Sequence, residues 1–314
     1  MLNLSLQTTD IIKYSIYITE GSVMTVCNAV IVATILFQRP FHRKEFTVVA
    51  GLAFADALNG AALLSAGTAR LKMLHDGYAA LQTKMQCMLA SYNLIWLFSD
   101  LLAGIMLLAV TLDRLVCLLA PLQYPIVDKK GVRYTGCFYS LVLVTCSVGI
   151  YLTIQEPQNE QFHPFCFFPV ILTDNFYLFY SNMKVSAAFL SCILYLPILL
   201  LLSKQNNQVA STLSSQQQIL QCKKQRKLTI SLGISCLMTF LFYVGPSCII
   251  ILLRMMYTNF TVVAGNLAVY AYLISQLNPI CNLWILVIRH KKIRVGVWDT
   301  LKLRKTTNQE MTFG

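Results

Sequence analysis

Seven stretches of this chain carry about 20 or more consecutive, mostly apolar residues, the length that crosses a roughly 30 Å hydrocarbon core at about 1.5 Å per residue. They lie at 14-37, 47-69, 87-113, 134-154, 180-202, 228-253 and 263-288. Where lipid replaces water, every backbone hydrogen-bonding group has to be satisfied within the segment, so long apolar runs fold as helices. The expected fold is therefore an all-α membrane protein, a bundle of seven transmembrane helices. Composition agrees, since 56% of the residues are hydrophobic and only 12% are charged, about half the charged share of a soluble domain. The fifth segment is the least clean, because Lys184 sits near its start.

An odd number of crossings puts the two termini on opposite sides, and charge decides which. With the N-terminus outside, 19 of the 25 Lys and Arg residues fall on the inner side, seven of them between Arg289 and Lys305. The other six, Lys13, Arg70, Lys72, Lys84, Lys184 and Arg254, share the outer side with six acidic residues. The positive-inside rule thus favours N-out, C-in, and it accounts for the net charge of +12 without a nucleic-acid partner. Two glycosylation sequons, at Asn3 and Asn259, fall on the outer side of this topology. No stretch has the order of a cleaved signal peptide, so the first helix is expected to act as a signal anchor. The chain then divides into an extracellular N-terminus (1-13), a membrane domain (14-288) and a cytoplasmic segment (289-314). The polar run at 203-227 reads as mobile inner loop. No internal repeat is visible, which counts against inverted-repeat transporters.

Some residues do not belong in lipid. Asp56 and Asp100 fall mid-segment, where an aspartate costs about 2.5 to 3.5 kcal/mol, so both should face the bundle interior. They read as an ion, proton or ligand site, or as carboxyls that hydrogen-bond neighbouring helices. A further polar pair, Asp113 and Arg114, adjoins at the inner end of segment three, followed by Pro121 and Tyr124. Alone, an arginine there is an interfacial anchor. Its place at the inner end of the third of seven segments is far more specific.

At these residues the chain resembles the rhodopsin-like (class A) G-protein-coupled receptors. The family pattern maps Asn28 onto the first-helix asparagine, Leu52, Ala53, Ala55 and Asp56 onto L-A-x-A-D, and Asp113 and Arg114 onto D-R-Y. It maps Asn278 and Pro279 onto N-P-x-x-Y, and Phe240 and Pro246 onto the ends of F-x-x-C-W-x-P. The chain departs from the pattern where Leu115 and Asn282 stand in place of tyrosines and Val244 in place of the sixth-helix tryptophan. Its degenerate motifs look most like the nematode serpentine chemosensory receptors, among them class SX.

The resemblance implies a receptor in the cell membrane that binds a small-molecule or short-peptide ligand outside and activates a heterotrimeric G protein inside, by outward movement of helix six. It also implies a disulfide between Cys87 and Cys166, although Cys87 precedes Arg114 by 27 residues, about two more than the family norm. Pro246 and Pro279 each remove a backbone donor and read as hinges; Asn278 is expected to hydrogen-bond toward Asp56. The ligand pocket is expected to open outward, lined by Tyr92, Trp96, Asp100, Tyr243, Ser247, Tyr270 and Gln276. Trp96 stands where amine receptors hold their aspartate, so an aminergic ligand is not expected. Beyond helix seven, Ile293, Val297, Trp298 and Leu301 recur at near-helical spacing among basic residues, the pattern of an amphipathic helix on anionic lipid.

The remaining nine cysteines are expected to pack as small apolar residues. No metal spacing joins them to the four histidines, and no phosphate-binding or nucleophile motif is present, so no metal, cofactor or enzymatic activity is expected. The rival reading is a seven-helix ligand-gated channel or transporter in which Asp56 and Asp100 line an ion path. Insect-type odorant channels place the N-terminus inside, which here would put the 19 basic residues outside.

Overall fold

The computed structural model describes residues 2–38, 44–77, 81–119, 131–156, 161–212, 230, 233–256, 262–289 and 291–301. The long helices are α1 (Leu2–Phe37), α2 (Lys44–His75), α4 (Ser91–Leu119), α5 (Gly131–Gln155) and α7 (Asp174–Thr212). The sixth, α8, comprises helical residues 233–239, a π-helical turn Phe240–Val244 and an α-helix Gly245–Met256; α9 (Val262–Arg289) follows. Two short helices, α3 (Lys84–Leu89) and α6 (Phe168–Ile171), and the strands β1 (Gln82–Thr83) and β2 (Gln161–Phe162) cap one end, and α10 (Lys291–Leu301) closes the other. Among the described residues six helices are long and apolar enough to cross a membrane: α1, α2, α4, α5, α7 and α8. The 28-residue α9 takes the place of the seventh segment. The protein is a helical, multi-pass membrane bundle.

Helix α4 is its axis. It packs against α2, α5 and α7, and Leu97, Leu101, Leu102 and Met106 along it are fully enclosed. Helices α1 and α2 lie backbone against backbone, because a Cβ at Gly21 would sit 2.5 Å from the Leu64 nitrogen and one at Gly60 2.7 Å from the Thr25 nitrogen. Only glycine permits that approach, which replaces the missing hydrophobic drive between helices in lipid with close packing.

The segment boundaries shift in instructive ways. Helix α1 begins at Leu2, not near 14, and α7 runs on to Thr212, so the front of the polar 203-227 stretch continues the helix instead of forming loop. Cys87 does not begin the third long helix. It lies on α3, and the chain breaks at Ala90 (φ −58°, ψ 126°) before α4 starts at Ser91. That break absorbs the extra residues between Cys87 and Arg114, and a capping box between Thr83 and Gln86 fixes the start of α3.

The cap is tied at several points. Strands β1 and β2 pair antiparallel, Gln82 opposite Phe162 and Thr83 opposite Gln161. Cys87 and Cys166 form the expected disulfide, with Cα atoms 5.1 Å apart. Cys166 itself has φ 45°, a left-handed turn that drops Phe165, Cys166 and Phe168 into the bundle, where all three are buried. At the opposite end α10 lies against α1: Ile293 is buried with Ile31, Ile35, Val49, Ala53 and Leu283, and Gln38 Nε2 donates to Gly296 O at 2.8 Å. Trp298 faces out, so the apolar positions of this helix divide between the bundle and its surroundings.

Candidate functional site

Three polar layers run through the bundle from the capped end inward. The first is the cap's anchorage on Arg70, which is 1% exposed. Its Nε donates to Phe165 O at 2.9 Å and its Nη2 to Cys166 O at 3.4 Å, and its guanidinium lies over the Phe167 ring at 4.8 Å and the Tyr92 ring at 5.7 Å. Asn93 Nδ2 donates to Cys87 O and Cys166 O, and Lys84 pairs with Glu156. Arg70 and Lys84, two of the six cations that the charge count placed on the outer side, are thus structural ties. His163, in the capping loop, packs edge-on against Phe165, with ring centroids 4.5 Å apart. Partial burial lowers its pKa below the ordinary histidine value, against a smaller opposing pull from Asp10.

Beneath the cap, aromatic rings fill the place where an open pocket was expected. Trp96 lies 6.3 Å from Phe168 and 5.0 Å from Tyr272, and Phe168 lies 5.9 Å from Tyr180. Of the residues expected to line that pocket, Tyr92, Trp96, Ser247 and Gln276 are buried. Tyr270 is not with them: it is 49% exposed, on the outer face of α9. At about 100° per residue, positions two apart on a helix point nearly opposite ways, so Tyr272 takes the inward place. It shares its face with Gln276.

The second layer is an ion pair. Lys184 Nζ on α7 donates to Asp100 Oδ2 on α4, with side chains 16% and 6% exposed. The ammonium lies 5.6 Å from the Tyr180 ring and 6.0 Å from the Tyr243 ring. Gly104, one turn inward of Asp100, makes this possible, because a Cβ there would come 2.9 Å from Lys184 O. Among the described residues Asn59 Oδ1 is buried close by without a hydrogen-bond partner.

The third layer is a cavity running inward from Asp100, lined by Asp56, Asn59, Tyr243, Ser275, Asn278 and Asn282 among others and wide enough for water-sized species. Asn59 Nδ2 donates to Gln276 Oε1 at 3.1 Å, joining α2 to α9. Asn278 does not reach Asp56 as expected; its Oδ1 accepts from Thr239 Oγ1 at 2.9 Å and from Asn282 Nδ2 at 3.3 Å. Asp56 and Asn278 instead face one another across the cavity. A second cavity below it is lined by Asn28, Asp56, Ser235 and Asn282, with Ser235 Oγ donating to Asn282 Oδ1 and Asn28 Nδ2 to Met24 O.

At the inner end Arg114 Nη2 lies 3.2 Å from Asp113 Oδ2, and both residues are buried. Leu115 and the neighbouring Leu118 pack with Tyr195, Ile198 and Cys236. Val244 is buried among Leu107, Val185 and Ala188, an apolar filler where the family pattern has tryptophan. Phe240, matched to the first letter of the sixth-helix motif, is 44% exposed, its ring 6.5 Å from Phe189. The π turn begins at that residue and closes with Gly245 N–H bonded to Phe240 O. A wider turn offsets the register ahead of Pro246, which has no N–H to give, and Thr239 faces inward instead. Pro121, Tyr124 and Asn259 lie outside the described residues, as does the side chain of Asn3.

Lys184, Tyr272, Asn59, Thr239 and Arg70 were missed by sequence reasoning. Asn59 follows Asp56 by three residues, and Thr239 follows Ser235 by four, so both shared a helical face in plain view. Lys184 stood out as the one cation in its segment, the signal of a buried partner.

A family model described as 7 transmembrane receptor (rhodopsin family) matches residues 27–282. No curated protein matches the chain.

Proposed function

The chain belongs to the rhodopsin family of seven-transmembrane receptors, and from that premise we propose that it is a chemosensory G-protein-coupled receptor of the cell membrane. Its N-terminus lies outside and its C-terminal segment inside, with Asn3 and Asn259 as glycosylation sites. A small-molecule or short-peptide ligand binds beneath the cap, and a heterotrimeric G protein engages Arg114 and the basic inner loops.

The observation that carries this reading is the continuity of the polar column. Three groups make it up, Lys184–Asp100 between α7 and α4, Asn59–Gln276 between α2 and α9, and Thr239–Asn278–Asn282–Ser235 between α8 and α9, and the cavity that Asp100, Asn59, Gln276, Asn278, Thr239 and Asn282 line is what brings them together. A ligand that binds one arrangement of these groups better than another shifts the population of the whole column, and only by that difference in affinity. The π turn and Pro246 give α8 the place to pivot. Arg114, held by Asp113, is the group released to the G protein when the inner end opens.

Two measurements test the proposal. Glycosidase sensitivity lost in the Asn3→Gln and Asn259→Gln variants, with a C-terminal tag protected from protease, is the expected topology; an exposed tag on an unglycosylated chain overturns it. Arg114→Ala is expected to abolish receptor-driven nucleotide exchange at unchanged surface expression, and preserved exchange refutes the coupling role. A ligand-evoked current in cells lacking G proteins would favour a channel.

A further inference from the structure

We infer that the capping loop is an internal ligand of the bundle it covers: Phe168 occupies the seat beneath the cap and holds the inner end closed, an autoinhibitory contact that an outside ligand has to lift. This deepens the receptor reading above and rests on it, since it assigns an occupant to the pocket proposed there.

A connecting loop ordinarily runs over the surface and leaves its side chains to solvent. This one does the reverse. Phe165, Cys166, Phe168, Ile171 and Leu172 are all buried, in one core cluster with Trp96, Leu97 and Leu101 of α4. The descent begins at Cys166, whose φ of 45° is a conformation that a residue with a side chain keeps only where its surroundings hold it. Three restraints supply that hold. Cys166 is bonded to Cys87, Arg70 donates to Phe165 O and Cys166 O, and Asn93 donates to Cys166 O as well. A segment tied at successive residues on the way in is built to stay there.

Phe168 makes the contacts that a diffusible ligand of this pocket would make. Its ring lies nearly parallel to that of Trp96 on α4, 6.3 Å away at 23°, and edge-on to that of Tyr180 on α7 at 5.9 Å. Trp96 in turn packs on Tyr272 of α9 at 5.0 Å, and the Tyr180 hydroxyl donates to Leu97 O at 2.9 Å. One ring thus bears on three helices. Its polarity also suits the place, because Asp100 and Lys184 satisfy one another and a neutral ring above them leaves no buried charge uncompensated.

The sign of the effect is read at the far end. With Phe168 seated, Arg114 is buried against Asp113, and Leu118 of α4 packs with Tyr195 and Ile198 of α7 and Cys236 of α8. The filled seat and the shut inner end belong to one arrangement, with the Asp100–Lys184 tie between α4 and α7 lying between them. A group that packs well in this arrangement favours it over the open one by its difference in packing, and a tether spares it the cost of association. Taking the ring away therefore shifts the population toward the open end.

The test uses the full-length protein, purified into lipid nanodiscs, with the thiol of Cys236 as reporter. Cys236 is buried, and Cys192 Sγ donates to its carbonyl oxygen across the α7–α8 contact, so a maleimide reaches it only as the inner end opens. Cys137, exposed on α5, is the internal comparator. Timed treatment with N-ethylmaleimide, followed by peptide mass mapping, gives both rates in one sample. Phe168→Ala is expected to speed alkylation of Cys236 relative to Cys137 by roughly tenfold, and Phe168→Leu by less, because each removes packing from the closed arrangement alone. Leu63→Ala, which empties a fully buried position on α2, is expected to lower Tm comparably and leave the ratio unchanged. A ratio unchanged in both Phe168 variants, or raised as much by Leu63→Ala, overturns the inference. Basal nucleotide exchange with added G protein separates this from the receptor reading. Faster alkylation without faster exchange refutes coupling and leaves the internal ligand standing; an unchanged ratio beside measurable exchange refutes the internal ligand alone.

Discussion

Removing one member of the Asp100–Lys184 pair should harm the fold more than removing both. Lys184→Met deletes the ammonium and leaves Asp100, 6% exposed, with no compensating charge. Breaking a buried pair in this way costs about 3–5 kcal/mol, whereas replacing both partners by apolar groups of similar volume is often neutral or stabilising. The double variant Lys184→Met with Asp100→Leu should therefore recover most of the loss. At roughly 2–4 °C per kcal/mol for a chain of this order, the single variant should melt on the order of 10 °C below wild type. Scanning fluorimetry of the proteins in nanodiscs measures all three at once. A double variant no more stable than Lys184→Met would refute the argument, for it would show that packing around Gly104 and Tyr180 sets the cost and that the carboxylate finds water readily.

Arg70→Met should loosen the cap, seen as at least tenfold faster reduction of the Cys87–Cys166 disulfide by an impermeant phosphine at unchanged expression; an unchanged rate assigns the cap's closure to the disulfide and strands alone. The pKa of His163 is depressed in the folded state, so its contribution is present above the unfolded value near 6.5 and is lost as pH falls below it. Reduction of the same disulfide should accordingly quicken as pH falls below about 6.5, and His163→Gln should flatten that dependence. Ile293→Asp places a carboxylate among Ile31, Ile35 and Leu283 and should free α10 from α1, read as proteolytic nicking near residue 290 that wild type resists.

Much of this was legible in the sequence, and the reasons are physical. Asp56, Asp100, Asp113 and Arg114 announced themselves because charge in an apolar run is costly enough to demand a purpose. The disulfide and the family pattern followed from Cys87, Cys166 and the motifs around Arg114 and Pro279. What stayed hidden was pairing across helices. Nothing in the fifth segment says that Lys184 meets Asp100, because that depends on how far α7 slides past α4, and a single glycine at 104 sets the distance. Tyr270 and Tyr272 illustrate a different limit: two tyrosines of equal chemistry sit two residues apart, and only the rotation of α9 decides which faces in. Phe240 illustrates a third limit, since a π turn changes the register that a motif assumes.

The cap also imposes an order on biosynthesis. Arg70 and Cys87 emerge from the ribosome well before their partners, with 79 residues separating the two cysteines, or roughly 4 to 16 s of translation at about 5–20 residues per second. Throughout that interval the nascent chain exposes a reduced thiol and an unsatisfied guanidinium, while α4 and α5 are threaded between them and their acceptors. Neither tie can form until the loop around Cys166 has been made, and the disulfide additionally requires an oxidising compartment. Closure of the cap therefore follows the synthesis of α4 and α5 and cannot precede it.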